Sequence, residues 1–281
     1  MPAHIIDGKH LAAKIKNEIA EAIKKKKGRP CGLATVLVGK NAASAIYVAS
    51  KRKAASEIGM KSISHELPAE TSESELLSLI AHLNEDRSVD GILVQLPLPQ
   101  HIRESRIIEA ILPSKDVDGF HPLNLGYLLS GHPKMVACTP RGIMYLIDSV
   151  GYNCEGKLAV VVGASNIVGK PMALLLLQRN ATVIICHRKT KDLAHLTRQA
   201  DILVVAVGSP KLITKDHVKD QAFVVDVGIN RDKDNKICGD VDFKEVARVA
   251  SYITPVPGGV GPLTIAMLLK NTWQNYEEKE S

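Results

Sequence analysis

The sequence predicts an α/β protein of two domains, each built around a mostly parallel sheet. Three observations carry this. Short apolar runs rich in β-branched residues alternate with amphipathic, helix-forming segments along nearly the whole chain. The 281 residues are 45% hydrophobic but only 4% aromatic, and such an aliphatic excess suits strands buried on both faces. The strongest strand–turn–helix signal, VVVGASNIVGKP at 160–171 followed by MALLLLQ, sits in mid-chain. About half the chain precedes it, enough for a separate domain at roughly 100–200 residues per domain.

In the first half, helices are expected near 8–27, 42–58 and 72–84, and strands near 33–38, 62–67 and 91–95. The first helix carries Leu11, Ile15, Ile19 and Ile23 as an apolar stripe at i, i+4 spacing, and lysines 24–27 in its last turn complement the helix dipole. Residues 96–121 (PLPQH, then PSKDVDGFHP) read as a long irregular segment, and such segments are usually functional or hide short helices. Thr139-Pro140 reads as an N-cap followed by proline at the first helical position, opening a helix to Ser149 that bridges the domains. The second half repeats the rhythm, with strands near 158–162, 182–186, 202–205, 223–226 and 252–254 and helices near 171–179 and 193–198. A Gly/Pro-rich loop precedes a last helix from 263 to about 276, which is expected to pack back on the first domain.

Composition excludes several classes. No apolar run approaches the roughly 18 residues of a membrane span, and no charged–apolar–small leader opens the chain. Cys31, Cys138, Cys154, Cys186 and Cys238 are scattered, odd in number and form no C-x-x-C, which argues against a disulfide framework or a zinc site. The expectation is reduced thiols in a cytoplasmic protein with no metal. The net charge of +6 is dispersed, and its one dense run closes a helix, so a solvated helix end is preferred to a nucleic-acid patch. Anionic small molecules can exploit the same positive field.

The mid-chain turn departs from the G-x-G-x-x-G fingerprint. Gly163 holds the first place, Ser165 and Val168 the second and third, and Gly169 follows one residue later. Alone it is equally a tight turn without ligand. A strand before, a helix after and further βα units beyond favour a Rossmann-type dinucleotide site, with the pyrophosphate on a helix N-terminus. An acid some 20 residues on would select NAD through its ribose. That region reads CHRKT, with Arg188 and Lys189 and no acid, which points to NADP and a paired 2′-phosphate. AVGSP (206–210) and DVGIN (226–230) end successive strands and are expected to line the cofactor, ordinary turns being the alternative.

In the first half, Tyr47 and Lys51 lie four apart on one helix face. A partly desolvated lysine can shuttle protons, whereas a helix–sheet tyrosine and a solvated lysine are the bland reading. Short-chain dehydrogenases use the same spacing, but after the nucleotide fingerprint, not a hundred residues before it. Gln95 ends the apolar strand GILVQ and needs partners if buried. Asp116 and Asp118 lie in KDVDGFHP, where Asp118 is either the former of an Asp-Gly turn or an anchor for a donor-rich heterocycle.

YVASKRKAASEIG, GILVQLPLP, KDVDGFHPLNLG, CTPRGI, GASNIVGKP and PVPGGVGPLT occur in the order of the bifunctional methylenetetrahydrofolate dehydrogenase/cyclohydrolases, which the whole chain resembles. The resemblance implies NADP-dependent oxidation of 5,10-methylenetetrahydrofolate to the methenyl form and its hydrolysis to 10-formyltetrahydrofolate. It implies a folate-binding catalytic domain at 1–138 joined by the helix 263–281, a nucleotide domain at 139–262, and an active-site cleft between them. By resemblance Lys51 is the central catalytic residue, Tyr47 stacks on or orients the folate, Gln95 tunes Lys51, and Asp118 anchors the pterin. Leu96, Pro257, Gly258 and Gly259 join the substrate pocket, and Gly163, Ala164, Ser165 and Ile229 contact NADP. Some members carry Arg at the position of Ala164; here the 2′-phosphate falls to Arg188, helped by Lys189. The resemblance also implies a homodimer and a polyglutamylated substrate. A shikimate-dehydrogenase-like oxidoreductase and a non-catalytic NADP sensor are the competing readings.

Overall fold

The computed structural model describes residues 3–280, apart from the side chain at 43. Its first half runs β1 (His4–Ile5), α1 (Gly8–Lys25), β2 (Gly32–Val38), α2 (Ala42–Glu57), β3 (Lys61–Leu67), α3 (Glu73–Glu85), β4 (Gly91–Val94), α4 (Glu104–Ala110), α5 (Pro122–Leu129) and α6 (Cys138–Ser149). Then come β5 (Leu158–Val162), α7 (Gly169–Gln178), β6 (Thr182–Cys186), α8 (Leu193–Thr197), β7 (Ile202–Val205), β8 (Phe223–Asp226), β9 (Asn230–Arg231), β10 (Ile237–Cys238), α9 (Phe243–Val246), β11 (Tyr252–Ile253) and α10 (Val260–Lys279). The chain forms two compact units. One comprises Ala13–Cys138 and Ile265 onward, the other the residues up to Ala12 and Thr139–Thr264.

The first of these units holds a parallel sheet in the order β3-β2-β4. β2 is central because all seven of its residues are buried, as are all four of β4. The polar β3, KSISHEL, takes the edge, where half-burial is tolerated. α3 starts on a capping box in which the Ser72 hydroxyl accepts from Glu75 N–H at 3.2 Å and Glu75 accepts from Ser72 N–H at 2.8 Å. Its Leu76, Ile80 and Leu83 enter the core beside Val36, Ile92 and Val94, each burial worth roughly 1.5–3 kcal/mol. The segment read as irregular contains α4, whose Ile107 joins the same core. Its later part runs beside β4, where Ile92 N–H donates to the Lys115 carbonyl at 2.8 Å and Ile92 bridges to Asp116.

The second unit holds a six-stranded sheet, β1-β11-β8-β7-β5-β6, parallel throughout. Residues 1–12 were expected in the first domain. The described ones belong here, because β1 adds in parallel to β11. Thr139 is not an N-cap: α6 begins one residue earlier, where Cys138 N–H already has the Asp118 carbonyl at 3.3 Å. The Thr139 hydroxyl instead meets that of Thr264 at 2.9 Å. α10 also starts earlier than expected, at Val260, so Gly261 and Pro262 sit in its first turn. Proline is tolerated there because those N–H groups have no intrahelical partner. The antiparallel pair β9–β10 was not anticipated.

Both sheets repeat one topology at their centres. β2 lies between β3 and β4 as β5 lies between β6 and β7, so in each the chain winds first to one side and then to the other. Ligands of open α/β sheets bind beyond the strand C-termini at such a reversal.

Candidate active site

Each unit places candidate residues at its own reversal. In the three-stranded unit, β2 leads through Gly39 to the N-cap Asn41, whose side chain accepts from Ser44 N–H at 3.0 Å. Tyr47 and Lys51 follow one turn apart on α2, so they share a face. Gln95 comes directly after β4, its N–H donating to the Val36 carbonyl at 2.9 Å. Lys51 Nζ donates to Gln95 Oε1 at 3.1 Å, and Gln95 Nε2 donates to the Leu96 carbonyl at 2.7 Å. The carbonyl fixes the amide, since only the NH₂ can donate to it, and this leaves Oε1 for the lysine. Lys51 is 9% exposed, whereas Tyr47 at 37% presents ring surface outward. Partial burial pushes the Tyr47 hydroxyl above the usual phenol range.

Asp118 ends a heavily anchored stretch. Asp116, buried, accepts from Gly119 N–H at 3.1 Å, His121 N–H at 2.8 Å and Asn124 Nδ2 at 2.9 Å. Asn271 of α10 donates to the Val117 carbonyl at 2.8 Å. Asp118 is partly buried; desolvation pushes its carboxyl up, the Lys51 charge pulls it down and Asp116 raises it. That Lys51 acts on it electrostatically joins Asp118 to the Lys51–Gln95 pair. Of Asp116 and Asp118, the first is the one that holds the turn.

In the six-stranded unit, Gly163 follows β5 at φ +133°, and a Cβ there would land on the Ala206 carbonyl oxygen that follows β7. A Cβ on Gly169 would land on the Gly163 carbonyl. Both positions therefore require glycine, and backbone lies bare at the reversal. Ser165 serves the local fold, because its hydroxyl accepts from Val168 N–H at 3.2 Å and Gly169 N–H at 3.4 Å just ahead of α7. Arg188 and Lys189 are exposed in a turn closed by His187 N–H to Thr190 Oγ1 at 2.9 Å. That turn follows β6, whose Cys186 pairs with Val162 beside the Gly163 turn. Ile229 is half exposed after β8. Pro257, Gly258 and Gly259 belong to this unit, with Lys9 N–H on the Gly258 carbonyl at 3.1 Å.

Residues 6–118 match the model of the tetrahydrofolate dehydrogenase/cyclohydrolase catalytic domain, and residues 137–280 that of its NAD(P)-binding domain. The chain belongs to the tetrahydrofolate dehydrogenase/cyclohydrolase family. It is 56% identical to the bifunctional protein FolD of Polynucleobacter asymbioticus, over 99% of each chain. Its structure matches that of the bifunctional FolD of Campylobacter jejuni with a TM-score of 0.97, at 54% identity and 99% coverage of both chains. It matches the Trypanosoma brucei FolD, solved with NADP and an inhibitor, with a TM-score of 0.95 at 39% identity, covering 100% of this chain and 99% of that one. The chain is thus a bifunctional dehydrogenase/cyclohydrolase, and membership decides against the shikimate-dehydrogenase-like alternative.

This family member also organises its nucleotide unit through two acids that the sequence reading passed over. Asp226 ends β8 and Asp240 follows β10, both buried. Asp226 accepts from the N–H groups of Gly228 and Asp240 through Oδ1, at 3.0 and 2.9 Å, and from Val241 through Oδ2 at 3.0 Å. Burial pushes its carboxyl up to about 7, against the pull of those N–H groups. The available signal was the pairing of each acid with a nearby glycine, D-V-G and G-D-V. Glycine is needed there because a Cβ on Gly239 would land on Asp226 Oδ2. Among the described residues no group of three His, Cys, Asp or Glu side chains could hold a metal ion, and no helix is long and apolar enough to cross a membrane.

Proposed function

We propose that Lys51, Gln95, Asp118 and Tyr47 are the working residues for both activities of this protein: oxidation of 5,10-methylenetetrahydrofolate with NADP, and hydrolysis of the methenyl product to 10-formyltetrahydrofolate. The observation that carries the assignment is the chain Lys51–Gln95–Leu96 at the sheet reversal, with Asp118 in the field of the same lysine.

Asp118 anchors the donor-rich pterin, and Tyr47, with its ring surface outward, orients the folate. Leu96, Pro257, Gly258 and Gly259 are the further residues that the resemblance gives as contacts of the folate. Holding the reacting carbon in one geometry supplies much of the rate. When bound, NADP accepts the hydride that leaves the methylene carbon. The cradle fits it: Gly163 and Gly169 keep backbone bare at the reversal beside the α7 N-terminus, with Ala164 and Ser165 in the turn and Ile229 after β8. With Ala164 where some family members carry Arg, Arg188, helped by Lys189, holds the 2′-phosphate. In hydrolysis, water adds to the methenyl carbon while Lys51 takes a proton from that water. The added hydroxyl then gives up its proton as the bond from that carbon to N5 breaks and N5 takes a proton up, leaving the formyl group on N10. Gln95 Oε1 holds Nζ in place throughout, and its own orientation is held by Leu96.

The positive balance of the chain supports a polyglutamylated substrate, and its five free cysteines support a cytoplasmic setting. A homodimer follows from the resemblance; β6 is an edge strand with Ile185 41% exposed, which supports a partner there. Sedimentation checks the dimer. The deciding assay incubates purified protein with 5,10-methylenetetrahydrofolate and NADP and follows the methenyl chromophore, which should rise and then decay to the formyl product. NADP binding without methenyl formation would overturn this reading.

A further inference from the structure

Asp240 is fully buried, yet its carboxylate collects four donors from two loops. After β7, the consecutive N–H groups of Val207, Gly208 and Ser209 donate to it at 2.8, 3.1 and 2.7 Å. After β8, Asn230 Nδ2 donates at 2.8 Å. Three successive backbone N–H groups turned toward one point form an anion-binding concavity, and here a side chain of the same unit fills it. Asp240 is itself fixed, since its N–H donates to Asp226 and Gly228 packs so close that a Cβ there would land on its carboxyl carbon. The segments that Asp240 holds carry two exposed apolar side chains, Val207 at 38% and Ile229 at 50%. Both lie just beyond the C-termini of adjacent parallel strands, where dinucleotides bind.

We propose that Asp240 is a positioning residue for the dinucleotide: it sets the Val207–Ser209 backbone and Asn230 so that Val207 and Ile229 form a preshaped apolar wall for the cofactor. This rests on the assignment of the six-stranded unit to NADP. Asp240 touches neither cofactor nor substrate; it acts through the loops. Without it, three N–H groups and an amide lose their shared acceptor, and the loops must be ordered at the expense of binding.

The test uses the full-length protein, NADP, and supplied 5,10-methenyltetrahydrofolate, whose hydrolysis consumes no nucleotide. D240N keeps the shape but points an NH₂ at a donor. It should raise the NADP dissociation constant and NADP KM together by about 10- to 100-fold. Hydrolysis should stay within twofold, and amide exchange at Val207–Ser209 should accelerate. N230A removes one donor of the four and should raise the NADP dissociation constant a few-fold with the same selectivity. Folded D240N binding NADP within twofold of wild type overturns the proposal. So does hydrolysis falling in parallel with NADP affinity, which marks a merely structural role. If D240N does not fold, N230A decides on the same criteria. Wild-type protein that bound no NADP would instead sink the assignment of the unit to this nucleotide.

Discussion

Replacing Gln95 by Leu removes both hydrogen bonds of its amide while keeping comparable bulk. The bond from Lys51 Nζ, at 3.1 Å, is charge-assisted when the amine is protonated, and the bond to the Leu96 carbonyl, at 2.7 Å, is neutral. Typical net values are about 1.5–3 and 0.5–1.5 kcal/mol, so their joint loss is worth about 2–4.5 kcal/mol. If that energy positions Lys51 in the transition state, hydrolysis of methenyltetrahydrofolate falls roughly 30- to 1600-fold, at about 1.4 kcal/mol per decade. Both bonds lie within the three-stranded unit, so the NADP dissociation constant should stay within twofold. Decay of the methenyl absorbance measures the first quantity and isothermal titration the second. Hydrolysis within threefold of wild type, or a parallel loss of NADP affinity, would refute the assignment of Gln95 as the residue holding Lys51.

Lys51→Gln should lower hydrolysis at least about 100-fold, a usual range for a lost proton-transfer group, with NADP affinity unchanged; equal losses in both would contradict the separation of roles. Arg188→Ala should weaken NADP about 10- to 100-fold, the worth of a charged hydrogen bond, and NAD less than threefold; an unaltered preference would reject Arg188 as the 2′-phosphate partner. Asp226 holds its proton more tightly folded, with its carboxyl at about 7, than unfolded near 3.8. Between those values the native state binds more protons, so this group makes unfolding free energy fall as pH rises from about 4 to about 7, by up to about 4 kcal/mol, and level off above. Denaturant titrations at pH 5, 6 and 7.5 should show that decline in wild type and a flatter profile in Asp226→Asn; parallel profiles would remove Asp226 as its source.

The parallel strands were legible because their chemistry is local. LAVVV, ILVV and GILV are apolar wherever the chain puts them, and glycine at 163 announces a turn. β1 was not legible: two residues become a strand only by pairing with β11, nearly 250 residues later in sequence. β9 and β10 are equally short and equally dependent on each other. The meeting of Lys51 with Gln95 was expected from the resemblance and not from either motif alone, because it is the β3-β2-β4 order that brings the end of β4 beside α2. Asp240 was hard to find because its partners are mostly backbone N–H groups, so the neighbouring Gly239 was its one mark in the sequence. Thr139 misled because a Thr-Pro pair looks like a helix start, whereas the Asp118 carbonyl had already engaged the residue before it.

The catalytic unit closes on residues that the ribosome makes after the whole nucleotide unit. Asn271 holds the Val117 carbonyl, Asn275 the Asp90 carbonyl and the Tyr276 hydroxyl the Arg29 carbonyl, all from α10. A nascent chain therefore completes its nucleotide unit, which ends at Thr264, while the earlier-made sheet still lacks this clasp. Maturation of the folate half accordingly waits for α10 to emerge, and a stop codon shortly before Asn271 would spare the nucleotide unit while leaving the catalytic half unfinished.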